Sequence, residues 1–138
     1  MVTTKKISLQ TKGNCDIIDI TPEVEQQLAE TDMRNGTVTL FISGSTAAIS
    51  TIEYESGLLS DFQGMWERNV PRDIPYKHDS AWGEGNGYSH VRASLLGASL
   101  VIPFSDKKLA LGTWQQIVLV DFDNRPRSRQ IVVQIMGE

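Results

Sequence analysis

The feature that most constrains the fold of this chain is a pair of short apolar runs near its C-terminal end. Residues 117–120 read Ile-Val-Leu-Val, and residues 131–133 read Ile-Val-Val. A strand with one face in water alternates apolar and polar side chains, whereas these two runs are apolar on both faces. Such strands lie inside a sandwich, beneath a helix or at a subunit interface. Any fold for this sequence therefore has to cover strands on both faces.

Alternating or β-branched segments predict the strands of the chain. They are residues 7–9, 17–20, 37–43, 47–54, 100–104, 109–111, 116–121 and 130–135. The first two segments flank a turn-like Lys-Gly-Asn at residues 12–14, so we interpret them as a hairpin.

Two helices are predicted from end signals and apolar spacing. Residues 21–23, Thr-Pro-Glu, indicate a helix start with threonine as the N-cap, and that helix is expected to run to about Met33. Apolar residues recur at helical spacing over residues 58–70, and Pro71 ends that helix. Together these elements predict an α+β, mainly β fold. It is an antiparallel β-sandwich-like arrangement with two helices, in a single domain over residues 1–138.

The composition narrows the partners and the compartment. The 138 residues are 40% hydrophobic, enough for one ordinary core, and the net charge of -4 argues against nucleic acid as the main partner. No apolar segment approaches the ~18 residues of a membrane helix, and the first residues lack the apolar core of a signal peptide. The single Cys15 excludes an internal disulfide and fits a reducing compartment. We therefore expect a cytoplasmic protein with no membrane partner.

Both histidines, His78 and His90, fall in one stretch, residues 76–90, that contains three glycines and no Leu, Ile or Val. This composition predicts a loop, and loops on rigid scaffolds often carry function. Neutral imidazole is a common metal ligand and the usual general acid or base near pH 7. Asp79 and Glu84 could complete a metal site or orient an imidazole. The alternative is that each histidine hydrogen-bonds the backbone of the loop.

A second candidate segment is the small, hydroxyl-rich turn at residues 43–48. Its backbone N–H groups and the hydroxyls of Ser45 and Thr46 could bind an anion, although a simple tight turn is the alternative. Glu53 follows between an isoleucine and a tyrosine. If Glu53 points inward, it is a candidate ligand or base; otherwise it is a solvated strand carboxylate.

A third candidate segment is Gly-Thr-Trp-Gln-Gln at residues 112–116. Trp114 could stack on a flat ring while Gln115 contacts its polar edge, or Trp114 could be a core or interface anchor. Among the basic residues, Arg92 is the best candidate for a phosphate contact, because it lies two residues after a histidine. The run Arg-Pro-Arg-Ser-Arg at residues 125–129 is interpreted as a solvated hairpin turn.

These segments together resemble the YjbQ-like family, whose members are usually named secondary thiamine-phosphate synthase enzymes. The resemblance covers the chain from about residue 3 to its end. The matching segments are Gly-Ser-Thr-Ala-Ala (44–48), Ile-Glu (52–53), His78, residues 87–97, Leu-Ala-Leu-Gly-Thr-Trp-Gln (109–115) and residues 131–138. It implies a compact β-rich fold, a homotrimer with sites near subunit boundaries, and a small phosphorylated or heterocyclic ligand.

The chain departs from the family pattern at one position. Many members carry His-Thr-Ser where this chain has Gly-Ser-Thr at residues 44–46, so a three-histidine metal site cannot be built within one subunit. A divalent metal, magnesium or zinc, would be bound by His78 and His90 and would need further ligands. The candidates for these are Glu53, Asp79, Glu84 and water.

Three functional hypotheses follow. The first is a thiamine-phosphate synthase-type transferase, which joins a pyrimidine diphosphate to a thiazole phosphate. In it, the histidines handle protons, Arg92 or Lys77 assists loss of diphosphate, and Trp114 or Trp82 stacks on the pyrimidine. The second is a metal-dependent hydrolase or lyase that uses the two histidines and a carboxylate. The third is a non-catalytic trimer that binds a small ligand or another protein.

Overall fold

Two antiparallel sheets and four helices make up the structure, a computed structural model that describes residues 1–138. The strands are β1 (Val2–Thr11), β2 (Asp16–Asp19), β3 (Gly36–Ile42), β4 (Ala47–Ile52), β5 (Ser99–Ser105), β6 (Lys108–Leu109), β7 (Gln116–Asp121) and β8 (Arg127–Gly137). The helices are α1 (Thr21–Ala29), α2 (Ser56–Asn69), α3 (Lys77–Trp82) and α4 (Gly87–Leu96). None of these helices has the length and apolar character needed to cross a membrane. The mainly β, α+β class predicted from the sequence is confirmed.

The strands form a five-stranded sheet in the order β1-β8-β3-β5-β6 and a three-stranded sheet in the order β2-β7-β4. The predicted hairpin of the first two strands is wrong. β1 pairs along its whole length with β8, whereas β2 pairs with β7 in the other sheet. The turn between them contains three consecutive residues with positive φ, namely Gly13, Asn14 and Cys15. This turn carries the chain from one sheet to the other instead of folding it back.

Two apolar clusters explain why β7 is apolar on both faces. Ile117 and Leu119 belong to a cluster of 17 buried residues that includes side chains from both sheets and from α1. Val118 and Val120 point the other way, into a cluster of 10 buried residues that also contains side chains from α2 and α4. Each fully buried side chain of this kind contributes about 1.5–3 kcal/mol. The three-stranded sheet is therefore the middle layer, covered by a sheet on one face and by helices on the other.

The second apolar run, in β8, is covered on only one face. Ile131 and Val133 lie in the larger cluster, while Val132 between them is only half-buried on the outer face of the five-stranded sheet. That outer face also carries the exposed side chains of Phe41, Val101 and Met136. Several apolar side chains are therefore exposed among polar ones on the outer face of this sheet, which no helix of the same chain covers.

The first two helices follow the sequence prediction with one correction at a helix start. α2 forms as expected, and the Glu55 carboxylate caps it by accepting hydrogen bonds from the N–H groups of its first turn. α1 ends at Ala29, four residues before the expected Met33. Thr21 is not its N-cap. Instead, the Thr21 hydroxyl accepts a 2.8 Å hydrogen bond from Ile117 N–H, which joins the helix start to β7.

The stretch predicted as a loop, residues 76–90, contains α3 and most of the first turn of α4, so four helices form rather than two. Its glycines account for the difference. Gly83 has a φ of 69° and ends α3, and Gly85 has a φ of 70° in the short connection. Gly87 then starts α4, at a point where a Cβ would lie 2.6 Å from Tyr76 Cβ. The glycines therefore separate and pack two short helices.

Candidate functional site

The two histidines contact each other across the α3–α4 packing. His78 lies in the first turn of α3 and His90 in the first turn of α4, and their ring centroids are 4.4 Å apart with an interplanar angle of 41°. The sequence alone did not show that the two histidines meet, because their separation of 12 residues matches no helical spacing. The fold brings them together by turning the chain at the glycines between the helices.

Asp79 ties the two histidine helices together. Its Oδ1 accepts a 2.8 Å hydrogen bond from Gly87 N–H, the first amide of α4. The same oxygen is 3.8 Å from His78 Nδ1, which is buried and has no hydrogen-bond partner. Asp79 therefore stabilises the start of α4 and places a carboxylate near one imidazole without hydrogen-bonding it.

His90 is held in its neutral form at neutral pH. Burial lowers the pKa of His90, because the charged imidazolium is less well solvated there, and the nearby His78 lowers it further. Asp123, Glu84 and Asp79 act in the opposite direction without cancelling this effect. A neutral imidazole can accept a proton or bind a metal, so this group is suited to either role.

A pocket of about 430 Å³ opens beside His90. One wall is the turn before β4, and the other wall is the face of α4 together with the residues that follow it. The lining residues are Gly44, Ser45, Ala47, His90, Ala93, Ser94, Gly97 and Ala98. Apart from the histidine, the lining offers small side chains, two hydroxyl groups and no charge. We call this space the histidine pocket.

The structure places the two predicted hydroxyl residues differently. Ser45 is exposed and lines the histidine pocket. Thr46 is buried, and its hydroxyl donates to Asp123 Oδ2 at 3.0 Å and accepts from Arg129 Nη2 at 2.7 Å. Thr46 therefore supports the wall of the pocket from behind and does not face a ligand.

The prediction that Arg92 contacts a phosphate requires correction. Its guanidinium is buried beneath α4, and both Nε and Nη2 donate to the carbonyl of Val70, at 3.0 and 2.8 Å. It also lies 3.3 Å from a carboxylate oxygen of Glu67 and over the ring of Tyr88. Arg92 is thus a structural residue that joins α4 to the end of α2.

The remaining predicted residues lie at the other end of β4. Glu53 and Trp114 line a separate pocket of about 400 Å³, and Gln115 next to it donates to Thr51 Oγ1 at 3.1 Å. Six residues of extended chain, about 20 Å, separate Ala47 in the histidine pocket from Glu53. Glu53 is exposed and does not point inward. Within one chain, the structure therefore does not bring these residues together with the histidines.

A buried ionic cluster at the end of β7 was missed by sequence reasoning. Arg129 donates to both carboxylate oxygens of Asp121 at 2.7 and 2.9 Å, and Arg127 Nε donates to Asp123 Oδ2 at 2.8 Å. Burial alone would raise the pKa of Asp123, but hydrogen bonds from Asn124, Asn86, Thr46 and Arg127 hold it below its usual range. The interpretation of residues 125–129 as a solvated turn is therefore wrong. The available signal was two carboxylates two residues apart after a buried strand, matched by two arginines with the same spacing on the next strand.

The donor set for a metal ion is incomplete within one chain. No three His, Cys, Asp or Glu side chains are grouped as a metal site would require. His78 and His90 supply two imidazoles at most, and the position that carries a histidine in many YjbQ-like proteins is Gly44, which lines the same pocket. Two imidazoles suit zinc better than magnesium, which prefers oxygen ligands. A metal site would need a ligand from outside this chain.

Comparison with known proteins gives one consistent result. Residues 5–138 match the sequence model of the family described as UPF0047 protein YjbQ-like. A UPF0047 protein of Methanothermobacter thermautotrophicus is 40% identical over 137 residues, which is 99% of this chain and 94% of that protein. UPF0047 protein YugU of Bacillus subtilis is 32% identical over 96% of this chain and 98% of its own length. The crystal structure of a YbjQ-like protein of unknown function from Sulfolobus solfataricus P2 superposes with a TM-score of 0.94 at 35% identity, covering 100% of this chain and 99% of that one.

Proposed function

We propose that this chain, which belongs to the UPF0047 family of YjbQ-like proteins, is an enzyme whose paired histidines transfer protons to and from a small ligand. The observation that carries this proposal is the contact of two imidazoles at the wall of an open pocket. His90, kept neutral by burial, is the base, and His78 beside Asp79 is the acid.

The lining of the histidine pocket indicates what part of a ligand it holds. It has no charged side chain beyond the histidine, and its small residues leave about 430 Å³, which is enough for a heterocyclic ring. Trp82 lies four residues after His78 on α3 and is exposed, so it shares a helix face with that histidine and can stack on the ring. It replaces Trp114 as the aromatic group of this site.

The reaction that we propose to test first is of the thiamine-phosphate synthase type, as the family resemblance implies. In that reaction, a bond forms between a thiazole ring nitrogen and the methylene carbon of the pyrimidine, and the carbon–oxygen bond to diphosphate breaks. The diphosphate leaves with the bonding electron pair, and His78, the acid of the pair, donates a proton to it. Lys77, exposed and adjacent to His78, provides the cation that the buried Arg92 does not.

A transfer assay tests the proposal directly. Purified protein is incubated with the pyrimidine diphosphate and the thiazole phosphate, with and without magnesium, and the coupled product is measured. We expect wild-type protein to form product and His90→Ala to lose at least about 100-fold in rate, as expected when a general acid or base is removed. Trp114→Ala is the control, since it changes the other end of β4. If His90→Ala forms product as fast as the wild-type protein, the proposal is contradicted. If the wild-type protein forms no product, the transferase activity is refuted, and the hypothesis of a non-catalytic ligand-binding protein is favoured.

A metal-dependent hydrolase or lyase is the second candidate, favoured by the neutral state of His90 beside a second imidazole. In this case a neighbouring subunit contributes the missing ligand. Metal analysis of protein purified without an affinity tag should then show stoichiometric zinc that is lost in a His78→Ala/His90→Ala variant. Metal content below stoichiometry and equal in both proteins argues against this candidate.

We also propose that the protein assembles as the homotrimer that the family resemblance implies. The support is the outer face of the five-stranded sheet, where β3, β5 and β8 present Phe41, Val101 and Met136 and no charged side chain. Val101 is 58% exposed and lies on β5, next to the central strand β3. Val101→Glu would place a charge in the proposed interface, so sedimentation velocity should show a dissociated protein. Ile74→Glu, at a similarly exposed site between α2 and α3, is the control. A wild-type monomer refutes this proposal.

A further inference from the structure

Asp123 contacts both walls of the histidine pocket from behind. Its side chain is completely buried just after β7, and its two oxygens face different elements. Oδ1 accepts a 3.3 Å hydrogen bond from Asn86 Nδ2, directly before α4. Oδ2 accepts a 3.0 Å hydrogen bond from Thr46 Oγ1, directly before β4. One carboxylate therefore connects the two segments between which the pocket opens.

The contact with Asn86 reaches His90 through the first turn of α4. The Asn86 carbonyl accepts the backbone N–H groups of Ser89, at 3.0 Å, and of His90, at 3.4 Å. The Ser89 hydroxyl adds a 2.6 Å hydrogen bond to the carbonyl of Phe122. Asn86 is almost fully buried and its Oδ1 has no partner, so Asp123 is the only group that its side chain contacts by hydrogen bonding.

The contact with Thr46 sets the position of the opposite wall. Thr46 lies between Ser45 and Ala47, which both line the histidine pocket. Its own carbonyl accepts a 2.9 Å hydrogen bond from Phe122 N–H, so the backbone here is fixed to the end of β7 as well. Arg127 donates to the same oxygen of Asp123 and balances the buried charge.

We propose that Asp123 is the positioning residue of the histidine pocket, which holds His90 at a set distance from Ser45. The inference rests on the proposed function, because the distance matters only if His90 acts on a ligand in the pocket. Each carboxylate oxygen accepts a hydrogen bond from one wall, so the two walls are connected through this one side chain. Asp123→Ala removes both acceptors and therefore releases both walls from the end of β7.

Asp121 provides a matched control. It is equally buried, lies two residues earlier in the same ionic cluster, and also uses both oxygens. Its side chain accepts hydrogen bonds from Thr11 in β1, from Arg129 in β8 and from the backbone N–H of Asp123, and none of these residues lines the pocket. Asp121→Asn keeps an oxygen that can accept from the Asp123 N–H, so it should destabilise the protein without moving the two walls apart.

The test compares crystal structures and kinetics of the two ligand-free variants as full-length protein. We expect the His90 ring to move relative to Ser45 by about 1 Å in Asp123→Ala, with kcat falling ~10²-fold and KM little changed. Asp121→Asn should retain both the wild-type distance and kcat. The inference is overturned if the walls keep their wild-type separation in Asp123→Ala, or if both variants change them equally.

Two provisions keep the result decisive. If Asp123→Ala does not fold, Asn86→Leu removes a side chain whose one hydrogen bond is to Asp123, and His90 should then be displaced while Ser45 stays in place. An undisplaced His90 in that variant overturns the inference. If the wild-type protein shows no turnover, the proposed function is refuted. The distance between His90 and Ser45 in the crystal structures still tests, independently of activity, whether Asp123 sets the separation of the two walls.

Discussion

Removing the charge of Arg129 is the perturbation whose cost the structure defines best. The guanidinium is 9% exposed and donates to both oxygens of Asp121, which is completely buried. In Arg129→Met the side-chain volume is roughly kept, but the Asp121 carboxylate retains only Thr11 Oγ1 and the Asp123 N–H as donors. A buried carboxylate that loses its cation destabilises a protein by about 3–5 kcal/mol.

This cost is large compared with the total stability of such a domain. The free energy of unfolding of a domain is about 5–15 kcal/mol, so Arg129→Met should lose roughly a fifth or more of it. The assay is urea unfolding followed by circular dichroism and by the fluorescence of Trp66, which packs against Phe122 beside the cluster. The midpoint should fall strongly while the slope with urea stays the same.

The exposed pair Arg34–Asp106 is the matched control. Its side chains are 66% and 74% exposed, so Arg34→Met should cost at most about 1 kcal/mol. Replacing both partners of the buried pair, as in Asp121→Leu/Arg129→Met, should recover much of the loss, because the one buried carboxylate that remains, Asp123, is still paired with Arg127. If Arg129→Met costs no more than Arg34→Met, the ionic cluster is not the stabilising feature that its burial indicates.

Three further outcomes are expected. Since the pKa of His90 is lowered on folding, its contribution to stability is fully present above pH 6.5 and is lost as the pH falls through the folded pKa. Urea unfolding between pH 7.5 and 5 should show this loss of stability, and the loss should be smaller in His90→Gln. Gly87→Ala forces a Cβ to 2.6 Å from Tyr76 Cβ, so it should lower the thermal midpoint and separate the histidines, while Gly83→Ala, which meets no atom, should strain only its positive φ. Gly44→His adds a third imidazole at a residue that lines the histidine pocket, at a backbone cost of about 1–2 kcal/mol for the positive φ of this position. Zinc titration should show that the variant binds zinc at least about tenfold more tightly than the wild-type protein. Equal affinity would mean that the three imidazoles do not converge.

How far the sequence predicted the site can be seen at the histidines. The residue types and the concentration of both histidines in one segment pointed to this region, and the structure brings Ser45, from a second predicted segment, into the pocket beside His90. Helical structure there was not predicted, since glycines normally interrupt helices and here they separate two of them. Arg92 was misjudged because proximity in the sequence does not indicate which side of a helix a residue occupies.

By itself, the sequence determined where most of the strands lie, because side-chain periodicity is a local property, but it predicted two covered faces for the β8 run, which has one. The two-sided apolar run of β7 required a middle layer, and the structure contains one. Only the tertiary structure decided which strands pair, that β1 joins β8 rather than β2, and that 12 residues of chain bring two imidazoles to 4.4 Å. It alone also buried Asp123 between the walls of the pocket. These features depend on contacts between residues far apart in the chain, and such contacts are selected by the packing of the whole molecule.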